Sequence, residues 1–151
     1  MHTRAAATED SGTVGRLVRD LLVELADDGQ VSGGPEEFAA TASEVLAMDE
    51  RAWAFLAFDG ENPVGVITLN ECVSIYAGGI FGEICELYIH PDYRSRGVAV
   101  MLLDEARNHG CRRGWGRLEV GAPPWPDWQR TFDFYVKNGF VEVGPRLKLR
   151  L

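Results

Sequence analysis

The sequence predicts an α/β fold: one mixed, mostly antiparallel sheet of about seven strands with helices on both faces, ordered β-α-α-β-β-β-α-β-α-β-β. Three observations lead there. Apolar residues recur at helical spacing in separated segments, short apolar runs of strand type lie between them, and Gly-, Pro- and Asp-rich turns divide the two. The chain has 151 residues, 46% of them hydrophobic, which suits a single domain spanning 1–151 with one substantial core.

The elements follow in order. "HTRAAAT" reads as a first strand. Thr8 is the expected N-cap of the first helix, with Glu9 and Asp10 in its first turn, where negative charge is favoured. Val14, Leu17, Val18, Leu21, Leu22 and Leu25 then form one helical stripe, and "DDGQVSGG" ends it. Pro35 opens a second helix with Phe38, Ala42, Val45 and Leu46 on one side. "AWAFLAF", the turn "DGEN" and "PVGVITLNECVSIY" read as a hairpin, and "AGG" turns the chain into "FGEICELYIH". A third helix runs from about Gly97 to about His109, stopped by Gly110. "RLEV" is a strand, "GAPPWPDW" a rigid loop, and "WQRTFDFYVKN" a last helix ending at Gly139. "FVEVG" and "RLKLRL" close the sheet as a strand pair, and "RLKLRL" is also the candidate strand for a homodimer contact.

Composition narrows the function classes. The formal net charge of −8 opposes binding to nucleic acid and favours a cationic partner, although acidic surfaces also serve solubility alone. No apolar run approaches a membrane span, and "MHTRAAATED" lacks the apolar core of a secretory signal. Three cysteines with no CxxC pair, and His2, His90 and His109 without ligand spacing, argue against disulfide frameworks and metal sites. A cytoplasmic, metal-free protein is expected.

The stretch "PDYRSRGVA" at residues 91–99 joins the strand-like "ICELYI" to the helix-like "VMLLDEA". A helix starting near Gly97 offers free N–H groups and a positive dipole end, a site suited to phosphate. Gly97 admits close approach, Ala99 keeps the next turn small, and Arg94 and Arg96 add charge. The same residues also fit an ordinary strand-to-helix turn with solvated arginines.

The R-x-x-G-x-A pattern of Arg94, Gly97 and Ala99, together with "ELYIHPDYR" and "FYVKNGF", resembles the GNAT N-acetyltransferase superfamily, and the element order does too. The chain departs from the family pattern at Ala99 and Thr131, and carries "PPWPDWQR" where an asparagine is often found. The resemblance implies acetyl-CoA as cosubstrate. Leu87, Tyr88 and Ile89 would pair with its pantetheine arm, and one of their N–H groups would polarise the thioester. Ser95, Arg96, Gly97, Val98, Ala99 and Val100 would hold the pyrophosphate, with Arg94 and Arg130 as further cofactor contacts.

Acyl transfer to an amine needs a base, because an alkylammonium of pKa ~10.4 is mostly charged at neutral pH. It also needs an oxyanion donor and a proton for the leaving thiolate. Glu86, a carboxylate within an apolar run, is the candidate base; the other reading is a carboxylate paired with arginine or pointing to solvent. Tyr135 in "FYVKNGF" is the candidate acid, or else a core aromatic. Glu83, Trp125 and Asp28 are candidate contacts to the acceptor; Trp125 and Trp128 equally suit packing, and Asp27 and Asp28 a solvated helix end. Cys85 reads as a structural thiol rather than a nucleophile. The expected acceptor is a small cationic amine of aminoglycoside or polyamine type. A protein or peptide amine, or a non-catalytic acyl-CoA sensor, are the alternatives.

Overall fold

A computed structural model describes residues 1–26, 28–123 and 127–150. Strands β1 (His2–Ala5), β2 (Ala52–Asp59), β3 (Asn62–Ser74), β4 (Gly79–Ile89) and β5 (Leu118–Val120) make one sheet in that order. Neighbours are antiparallel from β1 to β4, and β5 joins β4 in parallel, so the sheet is mixed as expected. The helices are α1 (Ser11–Leu25), α2 (Pro35–Leu46), α3 (Val98–Arg113) and α4 (Gln129–Lys137).

The two faces of the sheet carry separate apolar layers because side chains alternate along each strand. Leu56, Val66 and Tyr88 pack with Val14 and Leu17 of α1 and Ala42 of α2. Ile67, Ile84 and Ile89 pack with Val98, Leu102, Leu103 and Ala106 of α3 and Tyr135 of α4. No helix among the described residues is long and apolar enough to cross a membrane.

Backbones approach closely where α1 meets α2. A Cβ on Gly15 would stand 2.6 Å from the Phe38 carbonyl carbon and 2.7 Å from the Ala39 nitrogen. Backbone cannot swing aside as a side chain can, so Gly15→Ala forces the helices apart and costs about 1–3 kcal/mol of stability. The expected result is a lower urea midpoint with an unchanged denaturant slope.

Three local expectations are corrected. Thr8 is not an N-cap: Thr8–Asp10 forms a separate 3-10 turn and α1 starts at Ser11. The Asp10 carboxylate is taken by Arg4, at 2.7 and 2.8 Å, and by the Ala7 N–H at 2.9 Å. Gly110 does not stop α3, which continues to Arg113 and ends at Gly114 with φ 75°. Gly110 instead makes room for Trp115, whose ring would lie 2.9 Å from a Cβ there. Among the described residues the sheet has five strands rather than about seven, because 140–150 forms no strand. Beyond Phe140, which packs on the core, its alternating apolar residues find no core surface: Val141 is 79% exposed and Leu147 93%. A strand pair without a buried face is marginal in water.

Candidate active site

β4 and β5 pair over only three positions, Gly82 with Leu118, Glu83 with Glu119 and Ile84 with Val120. β5 then ends while β4 runs on to Ile89. Among the described residues, 85–89 therefore have a strand neighbour on one side only, and the peptide groups facing the other side, apart from the Ile89 carbonyl held by Arg94 Nε at 2.9 Å, are available to a ligand with amides of its own.

The opening starts at a β-bulge. Thr68 pairs with Glu86 while Leu69 pairs with Ile84, so Cys85 is an extra residue in β4. Bulges bend a strand and re-aim its side chains. Glu86 is thereby placed in a cavity of about 90 Å³ with Leu21 and Leu25 of α1, Val120 at the end of β5, and Trp128, Thr131 and Tyr135 beside or on α4. Burial, with a smaller contribution from the charge of Glu83, raises the pKa of Glu86 above the ordinary carboxylate value. A carboxylate so placed holds a proton more readily than an exposed one.

Tyr135 shares that cavity. Its ring meets Phe134 and Phe140 edge-on at 5.3 and 5.2 Å, and burial raises its pKa well above that of a free phenol. It is thus both a core aromatic and, with Glu86, a lining residue of the cavity. Cys85 is the reverse of a reactive thiol. Although the residue is exposed, the packing around its sulfur and then the charges of Glu86 and Glu83 push its pKa up to about 12.

The outer end of the opening is the start of α3. Gly97 is the N-cap residue, with φ 82°, and makes no side-chain cap, so the first N–H groups of the helix stay free. Nothing lies within 4 Å of the position a Cβ on Gly97 would take. Ser95, Arg96 and Val100 are exposed, Ala99 is half-buried and Val98 is in the core. Arg130 reaches this turn from α4 and donates to Ser95 Oγ at 2.6 Å. Arg96 lies over the Tyr93 ring at 5.4 Å.

Arg94 has a different setting from Arg96. Its Nε donates to the Ile89 carbonyl at 2.9 Å, and its guanidinium grips both carboxylate oxygens of Glu24 in α1, one at 2.9 Å. Arg94 thus ties α1 to the end of β4, and its charge is already paired.

Of the candidate acceptor contacts, Glu83 lines a larger groove of about 1230 Å³ next to the cavity, which Tyr135 also borders. Glu83 is paired with Arg146 and accepts from Cys72 Sγ at 3.7 Å. Asp28 lies apart, exposed, with its carboxylate accepting from the Gln30 N–H at 2.9 Å in the α1–α2 connection. Trp125 falls outside the described residues. Trp128, which the sequence offers with Trp125 either as packing or as a wall of the acceptor pocket, lines the cavity. Thr68 gave no signal beyond being polar within an apolar strand, yet it bonds to Glu86.

The overall fold is shared with solved acetyltransferases. The GCN5-related N-acetyltransferase of Ralstonia eutropha JMP134 superimposes with a TM-score of 0.82 at 19% identity, over 99% of this chain and 97% of that one. An aminoglycoside acetyltransferase from an uncultured soil metagenomic sample superimposes with a TM-score of 0.78 at 16% identity, over 99% and 95%. Residues 18–140 match the Acetyltransferase (GNAT) family, and the chain belongs to it. It is also 26% identical over 141 residues to the mycothiol acetyltransferase of Paenarthrobacter aurescens (strain TC1). That match covers 89% of this chain and 42% of the relative, so the chain spans about two fifths of that protein's length.

Proposed function

We propose that the chain transfers an acetyl group from acetyl-CoA to a primary amine by direct attack. One observation carries the reading: the opening beside residues 85–89 has Glu86 and Tyr135 in a single cavity at its inner end and the uncapped start of α3 at its outer end.

The physical fit is as follows. The amide-bearing pantetheine arm meets the peptide groups of Leu87, Tyr88 and Ile89 that are left open, the Ile89 carbonyl being held by Arg94. The pyrophosphate meets the N–H groups from Ser95 to Val100, with Arg96 and Arg130 adding charge. Glu86 accepts a proton from the ammonium. The freed nitrogen attacks the thioester carbon, a C–N bond forms, and the carbonyl electron pair moves to oxygen beside a β4 N–H. As the carbonyl re-forms, the C–S bond breaks and the Tyr135 hydroxyl gives its proton to the sulfur; the second proton of the attacking nitrogen passes to the Tyr135 oxygen, leaving a neutral amide and free CoA, and Glu86 returns its proton to solvent. Burial keeps that hydroxyl protonated until it is needed.

A small cationic acceptor, of aminoglycoside or polyamine type, fits the net charge of −8 and the Glu83 carboxylate, which already holds the guanidinium of Arg146. Trp128 adds an aromatic wall to the cavity.

The test is release of free CoA thiol across a panel of aminoglycosides, polyamines and peptide amines, with acetyl-CoA binding followed by calorimetry. Release with at least one small cationic amine is expected. Tyr135→Phe keeps the packing and should lower kcat by about 100-fold. Release with peptides alone would move the assignment to protein substrates. Binding of acetyl-CoA without release for any amine would make the chain a sensor and overturn the enzymatic reading.

A further inference from the structure

Thr68 is the one polar residue in the buried set, 9% exposed, among the described residues. It sits on β3 opposite the bulge, where two residues of β4 face one of β3 and the regular ladder is interrupted. Its hydroxyl makes two contacts, both with Glu86. Oγ1 accepts from the Glu86 backbone N–H at 3.1 Å, and it donates to the Glu86 carboxylate at Oε2. We propose that Thr68 is a positioning residue: its hydroxyl aims the Glu86 carboxylate into the cavity and favours the ionised form of that carboxylate.

The chemistry of one hydroxyl supports this. A threonine has a single O–H hydrogen and two lone pairs. The backbone N–H occupies a lone pair, which turns the O–H toward the carboxylate. An ionised carboxylate only accepts, so a fixed donor stabilises it and not its neutral form. The β-branched side chain has few rotamers, which keeps the donor in place. The surroundings push the other way. Among the described residues, the titratable groups around Glu86 are Cys85 and Tyr135 on the cavity wall and Glu83 acting along β4, while α1 presents Leu21 and Leu25 and β5 presents Val120. None of these supplies a positive charge, and the Arg146 guanidinium, whose charge reaches Cys85, is paired with Glu83. The Thr68 hydroxyl is therefore the counterweight that keeps a desolvated carboxylate usable as a base.

The inference rests on reading Glu86 as the base, and a direct titration separates the two claims. The full chain, carrying ¹³C-labelled glutamate carboxyls, is titrated by NMR, with Glu86→Gln assigning the signal. In Thr68→Val, which keeps the shape and removes the hydroxyl, the Glu86 midpoint should rise by about one pH unit. In Thr68→Ser it should stay near wild type. The acid limb of kcat/KM should move upward with the Val titration and recover with Ser. An unmoved Glu86 midpoint in Thr68→Val, or an equal rise in Thr68→Ser, overturns the proposal. Should Val not fold, Thr68→Ala gives the same reading against Ser. A midpoint that rises while the kcat/KM limb stays put upholds the contact with Thr68 and removes Glu86 from the role of base.

Discussion

Glu86→Gln lowers kcat by about 10²–10⁴-fold and leaves acetyl-CoA affinity near wild type. The amide keeps the size of the side chain and an oxygen for the Thr68 hydroxyl, and loses only the capacity to take a proton. Thiol release measures the first effect and calorimetry the second. The wild-type rate should also fall as pH drops through the raised pKa of Glu86, because the base works only when ionised. The same shift has an opposite consequence for stability. A carboxyl whose folded pKa lies above its unfolded value is most at ease in the fold at low pH and disfavours it as pH rises through the folded pKa. Glu86→Gln should therefore melt above wild type at neutral pH, and lose that advantage below about pH 4, where the carboxyl is protonated in both states. Unchanged turnover in this variant would remove Glu86 from the chemistry.

Gly97→Val weakens acetyl-CoA binding by about tenfold or more. Gly97 has φ 82°, and a β-branched residue held there costs about 1–2 kcal/mol. Space around it is open, so no protein atom opposes the new side chain; the strain and the bulk at the N–H groups do the damage. About 1.4 kcal/mol is a factor of ten, so a turn that relaxes in the free protein and must be forced back for binding loses affinity on this scale, and the bulk at the N–H groups adds to it. Calorimetry with acetyl-CoA, and with CoA lacking the acetyl group, should show the same loss for both, because the altered contact is with the diphosphate. An affinity equal to wild type would show that the start of α3 is not where the diphosphate sits.

Much of this site could be read in one dimension. The apolar spacing of α1 and the strand character of β2, β3 and β4 are local properties, and so is the glycine at the start of α3. A carboxylate amid "ICELYI" stood out because charge in such a run demands a reason. The bulge at Cys85 did not stand out, since a period of two looks the same on either side of one inserted residue. Thr68 bonds to a residue 18 positions away, and Arg94 to a glutamate 70 positions away. No pattern of neighbours in sequence announces such partners. The same limit explains the ends. Residues 140–150 alternate like strands, but alternation produces a strand only where a core accepts its apolar side.

By itself, then, the order of residues set the class of fold, the glycine-led start of α3 proposed for the diphosphate, and the one acidic and one phenolic side chain proposed for proton transfer. Tertiary structure alone decided that β5 stops short of β4, that the two side chains share a cavity, and that a buried hydroxyl steadies the carboxylate. The division has a physical cause. Helical and strand periodicity, turn chemistry and dipoles act between residues close in the chain, whereas register, cavities and ion pairs depend on which distant surfaces burial brings together.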